Sequence, residues 1–212
     1  MTLDRDNLNT GICVQDIAGM SSYRHKQRWF LDSEISRDCL KHVRPGDKHT
    51  ILEIGCYEGL SSVYFADNLL DHAEASLMCV DPFLRLETND HAHLLQSDEE
   101  ANFDYNITHC KHSDKITIHK ITSDAFFETN ERKFNFIYID GSHECNTVKR
   151  DIANAFRCLE LRGIMWMDDY LGDDGISIKT AMDTALSNLQ GHYELIHKGY
   201  QLAVRKLSDS SA

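Results

Sequence analysis

Two short stretches of this chain place carboxylates where apolar runs end. Ile139-Asp140-Gly141-Ser142-His143 closes one run, and Met167-Asp168-Asp169-Tyr170 closes the next. If those runs are neighbouring strands of one parallel sheet, Asp140, Asp168 and Asp169 reach a single rim, where open α/β sheets bind ligands. Three close carboxylates repel one another unless a cation or a proton intervenes. Such hard oxygen donors suit Mg2+, with Mn2+ or Ca2+ as substitutes. The plainer reading gives Asp168 a loop-capping role and leaves Asp169 to solvent. His143 lies just past Asp140, and an imidazole titrating near neutrality can take a proton from a hydroxyl. Its other reading is a cap for the helix that begins near Asn146.

A second constellation lies upstream. In Ile51-Leu52-Glu53-Ile54-Gly55-Cys56-Tyr57-Glu58-Gly59 an apolar run ends in a glycine turn, and a helix starts near Ser61-Ser62. Gly55 and Gly59 let backbone approach a ligand closely, and the helix N-terminus favours its negative groups. Asp81 ends the next run, about 20 residues further on, where a carboxylate can accept hydrogen bonds from both hydroxyls of a ribose. NAD and S-adenosylmethionine both present that ribose, so Asp81 does not separate them. The alternative is that Asp81-Pro82 simply opens a loop. Ser123-Asp124 follows a third run at the same edge. Asp124 can serve an adenine amino group or cap the short helix starting at Ala125.

These residues need strands to carry them. Residues 50–54, 77–80, 115–119, 134–139 and 164–167 read as buried strands, and 61–70, 99–109 and 146–161 have helical periodicity. The alternation predicts an α/β fold: a Rossmann-like, doubly wound, mostly parallel sheet with helices on both faces. A helix over 178–189 precedes two closing strands, 192–197 and 201–205, which bring the sheet to seven and one of which runs antiparallel. Residues 24–43, with Trp29, Phe30, Ile35 and Leu40, suggest a helix capping one end. Residues 1–49 are thus an arm and capping helix, 50–206 the domain, and 207–212 a tail. Segment 85–97, with Asp90, His91 and His93, reads as a loop over a site. Its His-x-His could bind metal, but a solvated loop is the simpler reading.

The formal net charge of -12 disfavours polyanionic partners, nucleic acid and anionic membranes among them. No stretch approaches the roughly 18 apolar residues of a membrane helix, and the N-terminus lacks the order of a signal peptide. The seven cysteines are scattered without a C-x-x-C pair, which suits a reducing, cytoplasmic setting. A homo-oligomer in which the arm covers a neighbour is compatible with this layout.

Taken together, Glu53-Ile-Gly55-Cys-Tyr57-Glu-Gly59-Leu-Ser61, Ile139-Asp140-Gly-Ser-His143 and Asp168-Asp169-Tyr170 resemble class I S-adenosylmethionine-dependent methyltransferases. The likeness is to the metal-assisted small-molecule O-methyltransferases, of the catechol type and the macrolide-sugar type, over about residues 50–206. It implies that Gly55, Tyr57 and Gly59 surround the methionine part of S-adenosylmethionine. Glu53 would support the turn and the amino group, and Ser61 would bond the carboxylate. Asp81 would hold the ribose, while Ser123 and Asp124 border the adenine. Asp140, Asp168 and Asp169 match metal-ligand positions. His143 falls where the catechol type has a lysine base and some sugar enzymes a histidine. The catechol type usually has Asn where this chain has Asp169, so that position leans to the sugar enzymes.

The activity so implied is methyl transfer to a hydroxyl of a small molecule, sugar or catechol-like, with Mg2+ assistance. Two rival readings are an NAD-dependent oxidoreductase and a non-catalytic S-adenosylmethionine-binding module. The first expects a middle glycine where Tyr57 stands. The second expects a broken acceptor side, yet Asp140, His143, Asp168 and Asp169 are all present.

Overall fold

Five strands run parallel: β1 (Thr50–Ile54), β2 (Ser76–Val80), β3 (Ile116–His119), β4 (Phe134–Ile139) and β5 (Leu159–Met167). They join β6 (Tyr193–Lys198) and β7 (Leu202–Lys206) in one sheet of order β3-β2-β1-β4-β5-β7-β6. β7 is antiparallel to both its neighbours. This is the Rossmann-like, mostly parallel arrangement expected, with its antiparallel closing strand. The computed structural model describes residues 22–84, 98–172 and 176–210. The arm over 1–20 and the segment 85–97 with its His-x-His lie outside the described residues.

The central strands are buried on both faces, which is why they read as near-continuous apolar runs. One face packs α1 (Glu34–Asp38), α2 (Leu60–Leu69) and α3 (Glu99–His109) against Ile51, Leu77, Phe136, Tyr138 and Trp166. The other packs α4 (Ser123–Thr129), α5 (Cys145–Cys158) and α6 (Ile176–Ser187) against Leu52, Ile54, Ile137, Met165 and Met167. In α5 the buried Val148, Ile152, Ala155 and Phe156 form a stripe at helical spacing. No helix among the described residues is long and apolar enough to cross a membrane.

Two expectations need correction. Residues 24–43 do not form a continuous helix but turns, the short α1 and a 3-10 turn at Cys39–Lys41. Serine side chains compete with the helix there: Ser33 Oγ donates to the Phe30 carbonyl at 2.6 Å, and Ser36 Oγ to that of Leu31 at 3.1 Å. Phe30, Leu31, Ile35 and Cys39 are nonetheless buried on the sheet. The fifth helix ends at Cys158 rather than 161, and β5 begins at once. Leu159 and Leu161 prolong the apolar spacing, but Leu161 is 59% exposed and a register shift lies opposite it in β4. Arg162 turns the chain through a positive φ of 68°.

Candidate active site

The parallel ladder continues one residue past each strand end. Gly55 N–H donates to the Val80 carbonyl at 3.0 Å, and Asp81 N–H to that of His119 at 3.1 Å. Asp140 N–H donates to the Ile54 carbonyl at 2.8 Å, and Asp168 N–H to that of Ile139 at 2.9 Å. Four residues singled out from sequence are thereby fixed in register along one rim. Sheet hydrogen bonds, not loop packing, set their relative positions.

At the glycine turn, Gly55 (φ 84°) and Gly59 (φ 81°) occupy the left-handed region, and so does Tyr57 (φ 49°). A Cβ on Gly59 would stand 2.9 Å from Phe103 Cδ2. Glu53 is fully buried behind the turn, where it accepts hydrogen bonds from the Ser61 and Ser62 hydroxyls. Burial raises its carboxyl to about 7, although both hydroxyls act in the opposite direction. Ser61 therefore faces inward, toward Glu53, in this structure. Cys56 and Cys79 complete a group with Glu53 whose ligand-type atoms lie within 4.8 Å of one another. Burial holds both thiols neutral, so this group reads as support for the turn.

Asp81 ties the turn to β2. Its Oδ2 accepts from the Cys56 and Tyr57 amides at 2.8 and 3.1 Å, and Oδ1 from the Phe83 amide at 2.7 Å. Glu58, which sequence reasoning passed over, stitches the turn to the N-terminal stretch. Its carboxylate accepts from the Lys26 amide (2.8 Å) and from Asn102 Nδ2 (2.8 Å). Trp29 then lies against Tyr57, with ring centroids 5.3 Å apart.

Ser123 opens α4, and the cap of that helix is Thr122, whose hydroxyl accepts from the Ala125 amide. The capping alternative for Asp124 is thus overturned. Asp124 instead forms a two-pronged pair with Arg150 (3.0 and 2.8 Å), which lowers its pKa. Likewise α5 is capped by Glu144, which accepts from the Asn146 and Thr147 amides, and not by His143.

His143 turns to the acidic rim, its Nε2 3.0 Å from Asp169 Oδ2. The buried Tyr138 hydroxyl lies between the other two carboxylates, 2.9 Å from Asp140 Oδ2 and 3.0 Å from Asp168 Oδ2. Asp168 Oδ1 accepts from the Asp169 amide and from Gln201 Nε2, both at 2.8 Å. Tyr200 Oη donates to Asp169 Oδ1 at 2.5 Å. Burial and the repulsion of Asp168 and Asp169 raise the Asp140 carboxyl well above the carboxylate range. Burial and Asp169 raise that of Asp168. One hydroxyl proton cannot neutralise two carboxylates, so the rim calls for a further proton or a cation. A cavity of about 20 Å³ lies against Asp140, His143, Asp168 and Asp169, room for one water or ion. An all-oxygen donor set of this charge fits a hard divalent cation.

The structure thus brings Asp140, His143, Asp168 and Asp169 together, and aligns Gly55 and Asp81 on the same rim. Tyr138, Tyr200, Gln201 and Glu58 were not foreseen. Of these, only Tyr138, two residues before Asp140 in the same strand, carried a usable signal.

The sequence profile of a family described as a methyltransferase domain matches residues 52–170. The chain belongs to that methyltransferase family. The matched span holds β2 to β5 whole, most of β1, and both constellations from Glu53 to Tyr170, while the closing hairpin of β6 and β7 lies outside it. No curated protein sequence matches the methyltransferase. Its fold is similar to that of several solved structures. A chain provisionally assigned as an rRNA methylase from Clostridium thermocellum is 16% identical, with a TM-score of 0.63 over 82% of this chain and 95% of that one. TomG of Streptomyces achromogenes, an O-methyltransferase of tomaymycin synthesis in complex with SAM, is 12% identical, with a TM-score of 0.58 over 82% and 77%. The O-methyltransferase of Bacillus cereus in complex with SAH is 13% identical, with a TM-score of 0.55 over 76% and 74%. The fold is therefore that of class I, S-adenosylmethionine-dependent methyltransferases, and the oxidoreductase alternative falls away.

Proposed function

We propose that this methyltransferase moves the methyl group of S-adenosylmethionine to a hydroxyl oxygen of a small molecule, a sugar or catechol-like acceptor. A divalent cation, Mg2+ first, would be held by Asp140, Asp168 and Asp169. The observation that carries this reading is the shared rim: Gly55, Asp81, Asp140 and Asp168 are locked in one ladder. A cofactor on the glycine side and an acceptor on the acidic side would then meet across a fixed gap.

Bound S-adenosylmethionine supplies an electrophilic methyl group, and the cation supplies positive charge that lowers the pKa of the acceptor hydroxyl. The chain's own residues do the rest. Gly55 and Gly59 give the turn its left-handed path with no Cβ to strike the Asp140 carbonyl or Phe103, and Asp81 offers carboxylate oxygens to the ribose hydroxyls. Ser123 and Asp124 border the adenine, with Arg150 fixing the Asp124 carboxylate. His143 is the base. Its Nε2 lies 3.0 Å from Asp169 Oδ2, beside the acidic rim, where the imidazole would take the proton of the acceptor hydroxyl. Holding both reactants on a rigid rim supplies much of the rate.

A small acceptor is favoured over nucleic acid by the net charge of -12 and by the acidity of the rim itself. The test is transfer of labelled methyl from S-adenosylmethionine to panels of sugars, catechols and structured RNA, with Mg2+ and with EDTA. Transfer to a diol that EDTA abolishes supports the whole reading. Turnover unchanged by EDTA removes the cation, transfer to RNA replaces the acceptor class, and tight cofactor binding without any transfer indicates a binding module.

A further inference from the structure

The acidic rim is held from behind by the β6–β7 hairpin, and the hairpin is held by one carboxylate from the other end of the chain. Glu34 Oε2 accepts from the Gln201 amide and from His197 Nε2, each at 2.8 Å, while Oε1 accepts from the Tyr200 amide at 3.1 Å. The same two hairpin residues reach the rim with their side chains: Tyr200 Oη bonds Asp169, and Gln201 Nε2 bonds Asp168. Gln201 is fully buried, and its Oε1 accepts from the Ile35 amide (2.6 Å) and Trp166 Nε1 (2.9 Å), so its amide cannot flip without losing both. The Tyr200 carbonyl also accepts from the Leu171 amide at 3.0 Å, which ties the hairpin to the chain just beyond Asp169. Gly199 leaves the space that Glu34 fills, since a Cβ there would overlap the Glu34 carboxylate.

We propose that Glu34 is a positioning residue for the acidic rim, acting through Tyr200 and Gln201 on Asp169 and Asp168. This rests on the cation-assisted reading above only for its effect on cation binding. Without Glu34 the Tyr200 and Gln201 amides lose their acceptor, the hairpin is free to shift, and Asp168 and Asp169 lose donors that fix their oxygens. The sheet ladder would then fix the backbone of the rim, while the short α1, through Glu34, orients the Asp168 and Asp169 carboxylates.

The test compares Glu34→Ala, Glu34→Gln and Gly199→Ala with the unaltered chain. Amide hydrogen exchange, resolved by NMR, is read at Asp169 and Leu171, which Glu34 does not touch, and at β1 and β2 as reference. Mn2+ affinity is read from the resonance of the free ion. In Glu34→Ala, exchange at Asp169 and Leu171 rises about tenfold over the reference strands, and the Mn2+ Kd rises about tenfold. Glu34→Gln keeps one acceptor oxygen but turns an NH2 donor toward the other amide, so it recovers part of both effects and falls between Glu34→Ala and the unaltered chain. Gly199→Ala, which expels the carboxylate without removing it, reproduces the loss. Unchanged exchange at Asp169 and Leu171 in Glu34→Ala and Gly199→Ala overturns the proposal, as does an unchanged Mn2+ Kd. Should the unaltered chain bind no Mn2+, the cation reading falls, and the exchange rates alone decide for or against Glu34.

Discussion

The backbone carbonyl of Asp140 lies so close over Gly55 that a methyl group added to Gly55 would overlap it. The cofactor turn and the acidic rim are therefore in direct backbone contact, with no side chain between them to absorb a change. Gly55→Ala adds a left-handed residue, at roughly 1–2 kcal/mol, and an overlap that only a shift of β1 against β4 relieves, typically 1–3 kcal/mol more. Gly46 has a similar φ of 87° with nothing near its missing Cβ, so Gly46→Ala isolates the conformational cost. Denaturant unfolding should find Gly55→Ala the weaker of the two by at least 1 kcal/mol, and calorimetry should find its S-adenosylmethionine binding lost. Equal stability of the two variants would contradict the contact.

Glu53 makes folding sensitive to pH. Burial raises its carboxyl to about 7 in the fold, from about 4.5 in the unfolded chain. The folded state then holds a proton that the unfolded state releases. Its contribution is complete below about pH 4.5 and is lost as pH rises through about 7, a swing of roughly 3 kcal/mol. Asp151 acts in the same sense, raised by burial to about 6 with Oδ1 lacking a partner. Urea unfolding at pH 5 and pH 8 should show a smaller stability difference for Glu53→Gln than for the unaltered chain. A difference of equal size would show that Glu53 is already ionised in the fold.

Much of this was legible in the sequence, for a reason that also explains what was not. Strands β1, β2 and β4 and the second half of β5 are buried on both faces, so their apolar runs stand out and the residues ending them identify themselves. Asp140, Asp168 and Asp81 were found in that way. The boundary of α5 was misplaced because Leu159 and Leu161 keep helical spacing while belonging to a strand. Glu34, Tyr200 and Gln201 were invisible because their roles arise from contacts across some 166 residues of chain, and no local pattern encodes such a pairing. Asp124 was read in isolation, and only the fold shows that Arg150 engages its carboxylate.

Cation binding at the rim should expel a proton. Burial and mutual repulsion raise the carboxyls of Asp140 and Asp168, and a divalent cation replaces the proton that relieves this repulsion. Calorimetric titration with Mg2+ in buffers of different ionisation heat should therefore report proton release, and the apparent affinity should climb with pH. At a hundredfold excess over Kd the fold gains about 2.7 kcal/mol, visible as a rise in Tm. Asp168→Asn should lose both the heat and the rise. A Tm indifferent to Mg2+ would leave the shared proton as the rim's resting state.

Trp29 should report cofactor binding by its fluorescence. The chain has two tryptophans, and they differ sharply: Trp166 is fully buried, whereas Trp29 is 47% exposed and lies on the Tyr57 ring. Tyr57 belongs to the glycine turn that would enclose the methionine part of S-adenosylmethionine, so a ligand there alters the surroundings of Trp29 first. Titration with S-adenosylmethionine should change the exposed, red-shifted part of the emission and saturate at the calorimetric Kd. Trp29→Phe keeps an aromatic ring on Tyr57 and should bind with an affinity within about threefold of the original, under 1 kcal/mol, while the signal disappears. If the signal survives in Trp29→Phe, the change originates at Trp166, and cofactor binding must then be moving the sheet beneath the His197 ring that stacks on it at 4.9 Å.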